Sequence, residues 1–229
     1  MLVSVVFPAA GAGRRMKAGK NKVFLTLAGV PVLVHTLRRF SAVPEVAELV
    51  IATGKNETET VRAMLEGETG LKPWRLVEGG SERQYSVLNG LRAIDAKADI
   101  VLVHDVARPF VSRETIENVI RAARETGAAI AAVPEKNTIK VVKDGIVVST
   151  PPRSSLWAVQ TPQGFRRELL EHANAKAEED GFLGTDDASL VERLGAPVAV
   201  VSGDYHNIKV TTPEDMVIGE AFLAQEKGE

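Results

Sequence analysis

Short runs of β-branched and aliphatic residues alternate along this chain with stretches whose apolar positions recur at helical spacing. The strands this predicts are Val3–Phe7, Leu49–Thr53, Trp74–Val77, Ile100–His104, Ala129–Val133, Leu156–Val159 and Val198–Val201. Several are apolar at consecutive positions, as parallel strands must be when helices cover both faces of their sheet. Helical segments lie between them. Pro31–Phe40 starts with proline in its first turn. Ser81-Glu82-Arg83-Gln84 has the spacing of a capping box opening a helix toward Leu91. Ser112 is placed to cap Thr115–Arg124, whose end is marked by Thr126-Gly127. Thr212-Pro213-Glu214-Asp215 combines an N-cap, a proline and first-turn acids at the start of a last helix. The alternation predicts an α/β fold with a doubly wound, mostly parallel sheet. With no repeat, low-complexity tract or linker, residues 1–229 read as one domain.

One segment breaks the rhythm. Thr138–Ser149 reads as two strands around Asp144-Gly145, a two-residue hairpin signal, where a crossover helix is expected. An isolated hairpin is marginal in water, so this one needs a surface to pack on. A protruding β-arm at about residues 135–153, pairing with another subunit, meets that need. A hairpin folded back on its own domain is the plainer alternative.

Composition narrows the function classes. With 28 basic and 30 acidic residues and a net charge of −2, the chain shows no electrostatic footprint for nucleic acid or membrane. No apolar run approaches the roughly 18–20 residues needed to cross a bilayer, and the opening Met1–Pro8 reads as a strand rather than a leader. Cysteine is absent, which excludes disulfides, thiolate catalysis and Cys-based zinc sites and agrees with a cytoplasmic location. The four histidines, His35, His104, His172 and His206, lack metal-ligand spacing. His35 and His172 read as surface or packing residues, His104 as a structural hydrogen-bonding partner beside Asp105, and Trp157 as core or arm packing. Any anionic ligand must therefore be held by a local cluster of cations.

Such a cluster follows the first strand. Pro8-Ala9-Ala10-Gly11-Ala12-Gly13 leads into Arg14, Arg15, Lys17, Lys20 and Lys22. Small residues let backbone N–H groups approach phosphates, and successive amides form an anion cradle. The loop leaves the carboxyl end of a strand, where open α/β sheets bind ligands. A dinucleotide fingerprint fits poorly: Met16 stands where a third small residue belongs, and the second strand ends in Gly54-Lys55 rather than in an acid. The Gly-Lys-Ser/Thr of a Walker loop is missing as well. A charge run of this kind also fits a solvated basic loop, but joined to the strand and the glycines it favours a triphosphate site on some other nucleotide fold.

The motif Ala9-Ala10-Gly11-Ala12-Gly13-Arg14-Arg15-Met16 followed by Lys22 resembles the signature of the 2-C-methyl-D-erythritol 4-phosphate cytidylyltransferases of isoprenoid precursor synthesis. The similarity continues through Gly79–Arg83, Ser86-Val87, Val103–Pro109, Asn137–Lys140, Trp157, Thr161–Gln163, Thr185–Ser189 and Asn207–Thr211, in family order. It implies a Rossmann-like nucleotidyltransferase sheet, with CTP and a small sugar-alcohol phosphate as substrates and Mg²⁺ held mainly through the CTP phosphates. By the same resemblance, Ala9, Ala10, Gly11, Gly13 and Arg15 bind the CTP phosphates, with Lys22 beside them, and Gly80 and Ser86 contact the cytosine end. Asp105 and Arg108 orient the acceptor, and Thr185 and Lys209 complete the site. Thr138 and Arg153 reach a neighbouring subunit's site, which implies a homodimer through the arm. Catalysis is expected of Arg15, Lys22 and Lys209, and the metal ligands are unknown.

The chemistry suits these residues. A phosphate monoester near pH 7 already carries about −1.5 to −2 charge, so it is a nucleophile without a strong base. The barrier is anion–anion repulsion, and preorganised cations relieve it. Asp186 and Asp187 read as cap and dipole partners at a helix start. Other readings are the same chemistry on ribitol 5-phosphate or another pentitol phosphate, a non-catalytic nucleotide-binding module, and an NAD-dependent oxidoreductase. Met16 and the missing acid disfavour the last.

Overall fold

The computed structural model describes residues 2–11 and 24–228. Seven strands form one sheet: β1 (Leu2–Pro8), β4 (Val46–Thr53), β5 (Trp74–Glu78), β6 (Ala98–Val103), β7 (Ala128–Pro134), β10 (Trp157–Arg166) and β11 (Ala199–Ser202). Their order is β11-β7-β10-β6-β1-β4-β5. Neighbours run parallel except at β10, which is antiparallel to both β6 and β7. Every expected strand is present. The largest difference lies in β10, expected over Leu156–Val159 but continuing to Arg166. Its pairing with β7 skips from Val159 to Gln163. Pro162, which has no N–H to give a ladder, sits in that irregular stretch.

The strand pleat divides the core in two. Val3, Val5 and Phe7 of β1 point to one face, with Ile51, Ile100 and Leu102. That face is covered by α1 (Val32–Ser41), α2 (Thr58–Glu66) and α4 (Arg113–Thr126), through Leu33, Leu37, Phe40, Leu65, Ile116 and Ile120. Val6, Val50, Val101 and Val103 point the other way. They meet α3 (Arg83–Leu91), α5 (Arg167–Glu179) and α6 (Asp187–Arg193), through Val87, Leu91, Leu170, Ala173, Leu190 and Val191. Consecutive apolar residues in β1 and β6 are thus used on opposite faces. A third cluster of Leu27, Val32, Phe110, Val210 and Leu223 seats α7 (Pro213–Gly228) beside a short ribbon of β2 (Thr26–Leu27) and β3 (Val30–Pro31).

Helix ends follow the expected chemistry at α4 and α7. Ser112 Oγ accepts from the Thr115 amide at 3.1 Å, and Gly127 ends α4 with φ of 94°. Asp215 Oδ2 accepts from the Thr211 and Thr212 amides, tying down the loop before α7. Two details differ. Pro31 is the residue before α1 rather than part of its first turn. At α3 the N-cap is Glu82, with no side-chain cap, so Ser81–Gln84 is not a capping box. Gln84 serves tertiary structure instead: its Nε2 donates to the Phe182 carbonyl at 3.0 Å, and its Oε1 accepts from the Gly184 amide at 2.9 Å.

The hairpin is β8 (Val141–Lys143) and β9 (Ile146–Ser149), joined by Asp144 and Gly145 at φ of 50° and 78°. Positive φ at both positions is what a two-residue turn matched to strand twist demands, and glycine adopts it without strain. The hairpin is a separate two-stranded sheet, and residues 137–150 are exposed throughout. Its base is fastened: Arg153 Nη1 donates to the Lys136 carbonyl at 3.1 Å, and Tyr205 Oη donates to the Pro134 carbonyl at 2.7 Å. Trp157, beside that base, is 43% exposed and does not belong to the core.

Candidate functional site

From β1 the chain steps outward to β4 and then β5, and it returns on the other side of β1 as β6. The strand order therefore reverses between β1 and β6, and the loops leaving their carboxyl ends diverge there to leave a crevice. Three segments line it: Pro8–Gly11 after β1, Gly80–Arg83 with Ser86 around the start of α3, and Asp105–Ala107 after β6, with Lys209 beside them.

On one side the wall is built from small residues packed at close range. A Cβ at Gly79 would lie 2.4 Å from the Ala10 Cβ, and one at Gly80 would lie 2.3 Å from the Tyr85 Cβ. A larger residue at Gly79 would push away the loop after β1, and one at Gly80 would displace Tyr85 in the first turn of α3. Ser86, almost fully buried, holds the turn: its Oγ accepts from the Gly80 amide and donates to the Glu82 carbonyl, both at 3.1 Å.

The other side is a chain of charges. Lys209 Nζ lies 2.6 Å from Asp105 Oδ2, and Arg83 Nε lies 3.3 Å from Asp105 Oδ1. The other end of the Arg83 fork, Nη1, is 2.7 Å from Asp187 Oδ2. Arg108 Nε stands 4.0 Å from Asp105 and is buried without a hydrogen-bond partner among the described residues, while Nη1 donates to the Asn207 carbonyl at 2.7 Å. Burial by itself would raise the Asp105 carboxyl, but Arg83, Lys209 and Arg108 outweigh it and hold the group well below the usual carboxylate range. For Asp187, which is wholly buried, desolvation prevails over the pull of Arg83 and raises the carboxyl. Burial also lowers Arg108 against the opposing pull of Asp105.

Beneath these charges lies a neutral scaffold. Thr161 Oγ1 accepts from the Asp105 amide at 3.0 Å and, because the other nitrogen of the neutral His104 ring faces a carbonyl and must carry the proton, donates to His104 Nδ1 at 3.1 Å. His104 Nε2–H then donates to the Arg108 carbonyl at 3.1 Å. Packed against Phe7 and Phe40, the imidazole is pushed down to about 3 by burial, against the favourable Arg108 carbonyl, and stays neutral. It orients the loop, with its single N–H committed to the Arg108 carbonyl. Asn207 Nδ2 donates to the Thr161 carbonyl, and the Val210 amide to the Ala107 carbonyl, so the Lys209 segment is pinned to β10 and to the loop after β6.

Of the residues expected from the sequence, Ala9, Ala10, Gly11, Gly80, Ser86, Asp105 and Lys209 share this crevice. Arg108 lies behind Asp105, with its fork turned toward Asn207. Thr185 is exposed at the residue before Asp186, which caps α6 by accepting from the Ser189 amide at 3.0 Å. Thr138 and Arg153 sit on the arm and line no part of the crevice. Gly13, Arg15 and Lys22 lie outside the described residues. Two functional candidates do not emerge from the sequence alone. Arg83 stands there in a capping pattern and in the block Gly79–Arg83 but is given no role in the site, and Asp187 reads as a dipole partner although its side chain is buried against Arg83. Among the described residues no group of three or more His, Cys, Asp or Glu is placed to hold a metal ion.

Comparison with known proteins gives one consistent answer. The family described as 2-C-methyl-D-erythritol 4-phosphate cytidylyltransferase matches residues 3–225. The chain is 52% identical to the protein of that name from Bacillus velezensis, over 98% of this chain and 97% of the relative. It is 50% identical to the one from Bacillus licheniformis, over 99% and 98%. Among solved structures, it is similar to the Thermus thermophilus enzyme of the same name, with 38% identity, a TM-score of 0.81 and coverage of 98% and 100%. It is also similar to 4-diphosphocytidyl-2C-methyl-D-erythritol synthase from Anaerococcus prevotii, with 34% identity, a TM-score of 0.86 and coverage of 97% and 98%.

Proposed function

This chain belongs to the 2-C-methyl-D-erythritol 4-phosphate cytidylyltransferase family, and from that premise we propose how its crevice divides the work. The enzyme is a nucleotidyltransferase of isoprenoid precursor synthesis, transferring CMP from CTP to 2-C-methyl-D-erythritol 4-phosphate. The loop of Ala9, Ala10, Gly11 and Gly13 cradles the triphosphate, with Arg15 and Lys22 supplying positive charge beside it. Gly80 and Ser86, where the wall is tightest, receive cytosine. Asp105, Arg108, Thr185 and Lys209 form the acceptor end.

In the reaction an acceptor phosphate oxygen attacks the α-phosphorus of CTP. A new P–O–P linkage forms, the bond to the β-phosphate breaks, and pyrophosphate leaves with the electron pair. The nucleophile is already ionised near pH 7, so neutral His104 takes no proton from it. The protein's contribution is to hold two anions in line and to stabilise charge at phosphorus. Mg²⁺ bound to CTP would neutralise part of the triphosphate charge. Asp105 suits this division, since its carboxylate is committed to Lys209 and Arg83 rather than open to a cation. The observation that carries the assignment is the convergence of the small-residue loop after β1 and the Lys209–Asp105 pair on one crevice.

The chain forms one nucleotidyltransferase domain, with the arm at about 135–153 mediating a homodimer. Val142, Ile146, Val147 and Val148 are 55%, 71%, 54% and 61% exposed, and an apolar ribbon of that kind is stable when a partner covers it. In the dimer Thr138 and Arg153 serve the neighbouring subunit's acceptor. No helix among the described residues is long and apolar enough to cross a membrane, and the soluble substrates fit a cytoplasmic location.

The test is pyrophosphate release from purified protein with CTP and Mg²⁺. Methylerythritol phosphate and ribitol 5-phosphate are offered in parallel, with ATP and GTP as controls. Turnover is expected with CTP and methylerythritol phosphate alone. Preference for ribitol 5-phosphate would keep the mechanism and replace the substrate.

A further inference from the structure

Behind Asp105 and Lys209 stand two charges that the reaction as described does not use. Asp187 opens α6 with its side chain 1% exposed, and Arg83 opens α3 at 31%. We propose that Arg83, anchored on Asp187, is a positioning residue that holds and compensates Asp105, so that Lys209 is free to turn to the acceptor phosphate. The inference rests on Asp105 and Lys209 being the acceptor end of the site.

Asp187, Arg83, Asp105 and Lys209 alternate in sign along one line, with contacts of 2.7, 3.3 and 2.6 Å. Were Lys209 the only close cation on Asp105, its departure would leave a buried carboxylate poorly compensated. The ammonium would stay where it is, and a substrate phosphate would have to compete for it. Arg83 on the opposite oxygen removes that obstacle. Arginine suits the task because its planar fork spans two carboxylates at once, through Nε and Nη1, whereas a lysine ammonium is a single point charge.

The far end of the line is fastened by hydrogen bonds. The Asp187 amide donates to Gln163 Oε1 at 3.1 Å, and Gln163 Nε2 donates to Asp186 Oδ2 at 2.7 Å, fastening α6 to β10. Gln84, next to Arg83, clasps Phe182 and Gly184 from the other side. Arg83 is therefore held between two helix starts whose places are set by independent hydrogen bonds.

A buried ion pair adds little stability over a well-packed apolar replacement, so structural and positional roles separate experimentally. Pyrophosphate release is measured for wild type, Lys209→Met, Arg83→Lys and the double variant Arg83→Met with Asp187→Leu. Methylerythritol phosphate is varied at saturating CTP, then CTP at saturating acceptor, with Tm recorded for each protein. The double variant is expected to keep its Tm but to lose about 10²-fold in kcat/KM for the acceptor, the usual scale for a misplaced reacting group, while KM for CTP changes little. Arg83→Lys is expected to show the same split in milder form, and it carries the test if the double variant does not fold. Acceptor kinetics restored to wild type in a folded double variant, unchanged in Arg83→Lys, or lost equally for both substrates, would each overturn the positioning role. If Lys209→Met leaves acceptor kinetics untouched, the acceptor-end assignment itself fails, and with it this inference.

Discussion

Strand β6 and the arm are written in nearly the same letters and end in opposite environments. Ile100-Val101-Leu102-Val103 is buried, while Ile146-Val147-Val148 is exposed at 71%, 54% and 61%. The difference lies in what each strand pairs with. The central β6 has β1 on one side and β10 on the other, and helices above and below; among the described residues β8 and β9 pair only with each other. Local pattern specifies that a strand forms, whereas neighbours decide whether its side chains leave water. Apolar surface that the monomer cannot cover is then a statement about a partner.

The contrast can be tested where it should be widest. Leu102→Ala is expected to destabilise the enzyme by ~2–5 kcal/mol in denaturant unfolding, since a fully buried side chain leaves a cavity behind. A cost below ~1 kcal/mol would mean that the β6 environment relaxes as freely as a surface.

A smaller effect separates the two regions by pH. Neutral His104 titrates near 3 when folded against about 6.5 when unfolded, so between those values the unfolded chain binds more protons. Stability should rise with pH across that window, and it should fall by roughly 2 kcal/mol from pH 7 to pH 5. Asp105 acts in the same direction at lower pH: the stability from its depressed carboxyl is present above its unfolded value of 3.8 and is lost as pH falls. Replacing His104 with Gln should flatten the pH 5–7 slope in urea titrations. An unchanged slope would place the sensitivity elsewhere.

The smallest expected effect on the fold is on the arm. Val148→Asp alters a side chain that touches solvent in the monomer, so monomer stability should move by less than ~0.5 kcal/mol. Its effect belongs to assembly: light scattering should show a shift from dimer to monomer, with acceptor turnover falling as Thr138 and Arg153 are withdrawn. A dimer that survives this substitution would assign the interface to another face.

Much of the fold could be read along the chain, because burial on two faces leaves consecutive apolar residues and because helix starts carry their own hydrogen-bond chemistry. The seven sheet strands, the cap at Ser112 and the Asp144-Gly145 turn are all local matters of this kind. The small-residue loop after β1, with the cations that follow it in sequence, points to an anion site by local pattern, whereas Gly80, Asp105 and Lys209 enter only through the family resemblance. Long-range pairing has no such local trace. That β10 runs antiparallel through Pro162, that Gln84 clasps a loop about a hundred residues away rather than capping its own helix, and that Trp157 faces solvent depended on which segments became neighbours. So did the partnership of Arg83 with Asp187. An acid at a helix start looks the same in sequence whether it steadies a dipole or anchors a buried cation, because the desolvation that separates those roles exists only once the chain has closed around it.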